Sequence, residues 1–132
     1  MSIKFTIPIK CRTKKNHGQI IHTKTGRHIM LPSPQYKEFE KEVVQFVEAE
    51  FGNIEPIDFK CNLKCIFYKD RNYQSDLVGY LQAIQDALVK AGLLKDDNTN
   101  IVNTVNGSEV RHDKNYPRIE VEITPLVSTE VF

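Results

Sequence analysis

The chain has 132 residues, of which 40% are hydrophobic and 27% are charged, and its formal net charge is +1. This length predicts one domain around one hydrophobic core. No apolar run is long enough to cross a bilayer and the first residues do not resemble a signal peptide, so we expect a cytoplasmic protein with no membrane association.

The first elements in chain order are predicted to be a strand and a hairpin. Residues 4–9 alternate between apolar and polar side chains, and Pro8 favours the edge or the end of that strand. Two short apolar runs, 19–22 and 28–31, flank a segment that contains Gly26, which is typical of a hairpin with a longer loop.

Two helices and the strand between them follow. Ser33 and Pro34 are a favourable N-cap and first residue for a helix that should run from about Gln35 to Phe51. Residues 59–68 alternate and predict a strand whose inner face begins at Phe59. A second amphipathic helix is predicted from Asp76 to about Ala91, with Ser75 as its N-cap.

The last third of the chain predicts further strands. Two short runs, 101–105 and 109–111, surround the turn dipeptide Asn106-Gly107, and residues 118–124 alternate cleanly. We therefore expect an α+β fold with a mixed, mostly antiparallel sheet and two main helices. Residues 1–125 would form the domain and 126–132 a loose C-terminal tail.

The cysteines argue for structural thiols. There are three, an odd number, and Cys61 and Cys65 would face the same side of a strand. Buried thiols in a reducing compartment are the simplest interpretation. The chain has no CxxC or HxxxH spacing, so a zinc site is not expected.

A basic segment suggests a polyanion partner. Residues 10–28 contain no acidic residue, whereas the helix that follows is acidic. Segregated charge on a near-neutral protein favours a nucleic-acid contact, although a solvated basic loop explains the same pattern. The residues expected to contact phosphates, including one that lies before the second helix, are Lys14, Lys15, Lys24, Arg27 and Arg71.

Three carboxylates are gathered around the second helix. Asp76 would stand at its N-terminus, and Asp96 and Asp97 follow its C-terminus. Each position has an ordinary structural explanation, as a helix-start residue or a polar turn. Together they offer the hard oxygen ligands that Mg²⁺ prefers, and Mg²⁺ needs only one or two such ligands from protein. Asp86, in the middle of the helix, is interpreted as a structural pair with a basic residue, or as a support for the site.

Residues 75–98, SDLVGYLQAIQDALVKAGLLKDDN, resemble the signature of the RusA-type Holliday junction resolvases. That family carries a DLDN-like start, a DAL or similar sequence in mid-helix, and a final DD pair. The segments 14–16, 32–36 and 115–118 also resemble its phage and Gram-positive members, so the resemblance covers nearly the whole chain. Asp76 matches the first acid of the family pattern, and Asp96 and Asp97 match the final pair.

The resemblance implies a homodimeric, Mg²⁺-dependent endonuclease that nicks two strands of a four-way DNA junction symmetrically. Asp76 and Asp97 would hold the metal, with Asp96 as a third catalytic acid. The chain departs from the pattern at Val78, where the family has its second acid, at Gly79, where it has Asn, and at Gln82, where it has Lys. A non-catalytic or weakly active junction-binding protein of the same fold is the alternative, and a small interaction domain without nucleic acid is a third, weaker one.

Overall fold

The computed structural model describes residues 2–13, 19–22, 26, 28–31, 33–71 and 74–126, with the backbone alone at 19–22 and 28–31. Its elements, in chain order, are β1 (Ile3–Ile7), β2 (Gln19–His22), β3 (His28–Leu31), α1 (Pro34–Phe51), β4 (Cys61–Lys69), α2 (Leu77–Lys90), β5 (Val102–Thr104), β6 (Glu109–His112) and β7 (Arg118–Pro125). This is the α+β architecture with two helices that the sequence predicts.

The main sheet is mixed. β7 lies between β1 and β4 and is antiparallel to both, whereas β5 and β6 both pair with β4 in the parallel sense. Because β7 occupies one side of β4 over almost its whole length, β5 and β6 lie one after the other along its other side. The carboxyl ends of β4 and β6 therefore meet at the same edge of the sheet.

Both helices cover one face of this sheet. Phe5 of β1 packs against Phe46 and Phe51 of α1, with ring centroids 6.0 and 5.3 Å apart, and Phe67 of β4 packs against Tyr80 of α2 at 5.2 Å. The alternate residues of the central strand that point to the helices are fully buried: Cys61, Leu63, Cys65 and Phe67. Burial of these apolar side chains is the main stabilising contribution to the fold.

Local sequence signals set the first half of the structure. Ser33 caps α1 by accepting a hydrogen bond from the Tyr36 backbone N–H at 3.1 Å, Pro34 is its first residue, and the helix ends at Gly52, whose φ is +62°. β1 is an edge strand that ends one residue before Pro8, as predicted. β2 and β3 form the predicted antiparallel hairpin, a separate two-stranded sheet.

One prediction about strands is wrong: β4 begins at Cys61, and Phe59 lies outside it with 48% of its side chain exposed. The two strands predicted around Asn106-Gly107 are present as β5 and β6, and each pairs with β4. Among the described residues, no helix has the length and apolar character needed to span a membrane.

Candidate metal and nucleic-acid site

Asp76 is the N-cap of α2. Its backbone is extended, with φ −112° and ψ 110°, and its Oδ1 accepts a hydrogen bond from the Val78 N–H at 3.1 Å. The prediction that Ser75 would cap this helix is therefore wrong by one residue. The Ser75 hydroxyl accepts a hydrogen bond from Lys69 Nζ instead, at 3.3 Å. Serine and aspartate cap helices about equally well, so sequence preference alone does not choose between them.

The carboxylate of Asp76 is exposed beside a residue without a side chain. A Cβ at Gly79 would lie 3.4 Å from Asp76 Oδ2 and 3.5 Å from the methyl group of Thr13. Gly79 therefore leaves room next to this oxygen, and Oδ1 already serves the helix cap.

The loop after α2 holds the other two predicted acids. Asp96 Oδ1 accepts a hydrogen bond from the Asp97 N–H at 2.7 Å, and Asp96 Oδ2 accepts one from Asn98 Nδ2 at 3.1 Å. Asn98 Oδ1 in turn accepts a hydrogen bond from the Asn100 N–H at 2.9 Å. Both oxygens of Asp96 are thus engaged in shaping the loop, which makes Asp97 the better candidate for a metal ligand.

Asp97 contacts the middle of α2. Partial burial raises the pKa of its carboxyl group, and hydrogen bonds with the side chains of Asp86 and Asp96 raise it further. Asp97 is exposed as a residue. The structure therefore places Asp86 next to a second carboxyl group. The sequence predicts that Asp86 either pairs with a basic residue or supports the site, and does not predict its contact with Asp97.

Asp76 and Asp97 lie at different parts of α2: Asp76 is its N-cap, and Asp97 interacts with Asp86 in its second half. Ten residues separate Asp76 from Asp86, and at 1.5 Å per residue their Cα atoms lie about 15 Å apart along the helix axis. Within the described residues, no group of three or more His, Cys, Asp and Glu side chains is arranged to hold a metal ion. Carboxylates are the right chemical type for Mg²⁺.

The predicted phosphate-binding residues are mostly outside this description. Lys14, Lys15, Lys24 and Arg27 do not belong to the described residues. Arg71 does, and its side chain is exposed just after the end of β4.

A charge pair stands beside Arg71. Lys10 Nζ lies 2.9 Å from Asp70 Oδ1, and this hydrogen bond lowers the pKa of the Asp70 carboxyl group. Lys10 belongs to the basic segment 10–28, and the pair holds the start of that segment at the carboxyl end of β4. Lys10, the first residue of the basic segment, and Asp76 therefore both lie near the carboxyl end of β4.

In comparisons with known proteins, no protein-family model matches this chain, and no curated protein sequence matches it either.

Proposed function

We propose that the chain is a homodimeric, Mg²⁺-dependent endonuclease of the RusA type that resolves four-way DNA junctions by paired symmetric nicks. One observation carries the proposal. An exposed carboxylate, Asp76, caps α2 at the edge where the basic segment begins, and the following loop returns a second carboxylate, Asp97, to the same helix.

In this proposal the acidic residues bind the metal ion and the basic residues bind the DNA backbone. Asp76 and Asp97 would hold the ion, and Asp96 shapes the loop that carries Asp97. When bound, Mg²⁺ activates a water molecule and neutralises charge on the scissile phosphate. Arg71 and the lysines and arginine of segment 10–28 would contact neighbouring phosphates, which positions the DNA without reading its sequence.

A non-catalytic junction-binding protein is the second candidate. Two observations favour it: Val78 stands where the RusA family has a carboxylate, and Asp97 interacts with Asp86, ten residues along the helix from Asp76. Both candidates require binding to branched DNA. They differ only in whether the bound DNA is cleaved when a divalent metal ion is present.

Cleavage of a labelled four-way junction with and without Mg²⁺ tests the proposal. Nicks that need Mg²⁺, fall symmetrically on two strands, and disappear in both Asp76→Asn and Asp97→Asn would support it. Asparagine is also a good N-cap, so Asp76→Asn removes the charge while keeping the start of α2. Junction binding should persist in both variants, because removing negative charge near the phosphates does not oppose it.

Glu48→Gln is a matched control, since it removes one exposed carboxylate from α1 and should cut like the wild type. Binding without Mg²⁺-dependent cleavage would favour the second candidate. A variant of Asp76 or Asp97 that cuts at the wild-type rate would remove that residue from the site.

A further inference from the structure

The carboxyl end of β4 carries a rigid loop that the proposed chemistry does not use. β6 ends opposite Lys69 and β7 begins opposite Tyr68, on the two sides of β4. Residues 113–117 therefore cross the end of β4 from one neighbour to the other. The Asp113 N–H donates a hydrogen bond to the Lys69 carbonyl at 2.9 Å, and His112 Nε2 lies 3.2 Å from the Asp70 carbonyl oxygen.

Arg118 forms the base of this loop. Its Nη1 donates hydrogen bonds to Asp113 Oδ2 at 2.8 Å and to the Tyr116 carbonyl at 3.0 Å, and its Nε donates to Glu120 at 3.1 Å. Only 15% of the side chain is exposed. Its guanidinium is thus committed to protein oxygens, and we assign it a supporting role rather than one in binding phosphate.

The guanidinium of Arg118 also contacts two aromatic rings. It lies 3.7 Å from the ring centroid of Tyr68 and 4.7 Å from that of Tyr116. Cation–π contacts of this kind stabilise the position of a ring as well as the charge. Tyr116 is therefore held by a side chain that is itself fixed by three hydrogen bonds.

Tyr116 is held by its backbone too. Asp113 Oδ1 accepts hydrogen bonds from the N–H groups of Asn115 and Tyr116, at 3.1 and 3.2 Å, and Pro117 limits the backbone on the other side. The ring is nevertheless 46% exposed. A large, exposed and pre-ordered aromatic surface loses little conformational entropy when a flat ligand stacks on it.

The loop is joined to the start of α2 through one residue. The Lys69 carbonyl accepts the hydrogen bond from Asp113, and Lys69 Nζ donates one to Ser75, which immediately precedes Asp76. Arg71 and Lys114, both exposed, stand next to residues that make these contacts. The edge therefore combines an exposed aromatic ring, exposed basic side chains and the proposed metal ligand.

We propose that Tyr116 is a stacking platform for a nucleobase of branched DNA, at the point where the strands exchange and a base is able to leave its stack. This rests on the proposed function, because it assumes that the chain binds branched DNA. Stacking of bases on aromatic side chains beside a basic backbone track is a general mode of nucleic-acid binding that tolerates any sequence. A base seated on Tyr116 would fix the register of the strand relative to Asp76, and so the phosphate that is cut.

The test uses a four-way junction with 5-iododeoxyuridine at the branch point, in EDTA so that no cleavage occurs. Irradiation should cross-link the modified base to Tyr116, as located by peptide mapping. Tyr116→Ala and Tyr116→Leu should weaken junction binding by about 5-fold to 100-fold and abolish that cross-link. Tyr116→Phe should bind and cross-link like the wild type. Phe59→Ala is the matched control, since Phe59 is an equally exposed ring at the opposite end of β4 and should have no effect.

The outcomes separate this inference from the function on which it rests. If the wild type binds the junction while the alanine and leucine variants bind as tightly, or if no cross-link forms at Tyr116, the stacking role is refuted and the nuclease proposal stands. If Tyr116→Phe binds the junction as weakly as Tyr116→Ala, the Tyr116 side chain does not contribute by stacking, and the inference is refuted as well. If the wild type binds no junction, both proposals are overturned.

Discussion

The carboxyl group of Asp97 interacts with that of Asp86, which joins the loop after α2 to the middle of the helix. Two carboxyl groups meet in this contact, an arrangement that favours a proton on one of them. Partial burial, and then the interaction with Asp86, raise the pKa of the Asp97 carboxyl group. Such a contact costs free energy at neutral pH, and a residue that costs stability is a reasonable candidate for a functional one.

Asp97→Asn should raise the stability of the fold at pH 7. A carboxyl group whose pKa is raised by folding favours the folded state below its unfolded value, and this contribution is lost as the pH rises through the folded value. The ordinary value is 3.8, so the wild type should lose stability relative to the variant above about that pH. Thermal unfolding of both proteins between pH 3 and pH 8 measures the difference.

The expected pattern is a gain in melting temperature for Asp97→Asn at pH 7 that shrinks as the pH falls towards the ordinary aspartate value of 3.8 and changes no further below it. Asp58→Asn is a matched control, because it removes an exposed carboxylate that pairs with Lys95 at 3.1 Å and should not stabilise the protein. A variant that is less stable than the wild type at pH 7, or a difference that does not depend on pH, would contradict the raised pKa of Asp97.

The elements that local signals define were predictable. Ser33, Pro34 and Gly52 bound α1 because a cap, a restricted φ and a positive φ are properties of single residues. The start of α2 was displaced by one residue because Ser75 and Asp76 are both good caps. The hydrogen bond from Lys69 to Ser75, a tertiary contact, is what distinguishes them.

The arrangement of β5 and β6 was not predictable from the turn dipeptide. Gly107 has a φ of +88°, and a turn does form. However, Asn62 of β4 accepts hydrogen bonds from Thr104 and from the Asn106 N–H, and Ser108 accepts one from the Cys65 N–H. These hydrogen bonds keep the chain beside β4 both before and after the turn. β5 and β6 therefore each pair with β4 and do not form a hairpin with each other.

The meeting of Asp97 with Asp86 was beyond sequence reasoning for a similar cause. It depends on the path of the chain after α2, where Gly92 has a φ of +82° and Leu93 and Leu94 are buried. Leu94 also forms a parallel bridge with Ile57, 37 residues earlier in the chain. Contacts between residues so distant in sequence produce no periodic pattern of apolar and polar residues, so the position of Asp97 cannot be predicted from the sequence. Asp76 was predictable, because it occupies a helix terminus.

Val78→Asp should strengthen Mg²⁺ binding and speed cleavage. Val78 is 71% exposed, and its backbone N–H already bonds to Asp76 Oδ1, so a carboxylate there lies beside the proposed metal ligand. An acidic residue in the first turn of a helix is favourable by about 0.3–1 kcal/mol, so the fold should not be weakened. Calorimetric titration with Mg²⁺ and single-turnover cleavage of a junction provide the two measurements.

Val78→Asn is the control for this variant, because it matches the size of aspartate without its charge. It should leave both the Mg²⁺ affinity and the cleavage rate unchanged. Equal Mg²⁺ affinity in Val78→Asp and Val78→Asn would show that no metal ion binds near Asp76.

Replacing Lys14 and Lys15 together with alanine should weaken binding to all DNA structures alike. Phosphate contacts release counterions, so each lost contact should reduce the slope of log affinity against log salt by about 0.9. Affinities for a junction and for a linear duplex, measured over a range of salt concentrations, give that slope. Lys37 and Lys41, which are exposed on the acidic helix α1, provide a control pair with the same change in charge. An unchanged slope in the Lys14 and Lys15 variant would show that these residues do not contact phosphates.

The protein should be a homodimer in solution. A four-way junction has two-fold symmetry, and paired symmetric cuts need two active sites related by a two-fold axis. The proposed site uses Asp76 and Asp97 once per chain, so one chain can make only one nick in each encounter. Two copies of the chain supply the second site through a self-complementary contact. Sedimentation equilibrium at micromolar protein should therefore give twice the chain mass of 15.2 kDa.

The same dimer predicts how a junction is cut. On a supercoiled plasmid carrying an extruded cruciform, both strands should be nicked within one binding event, so linear product should appear without accumulation of the singly nicked circle. When wild-type and Asp76→Asn chains are mixed, the singly nicked circle should accumulate, because each mixed dimer has only one active site that can cut. A monomer in sedimentation, together with junctions that are nicked once and released, would refute both the dimer and the paired-cut mechanism.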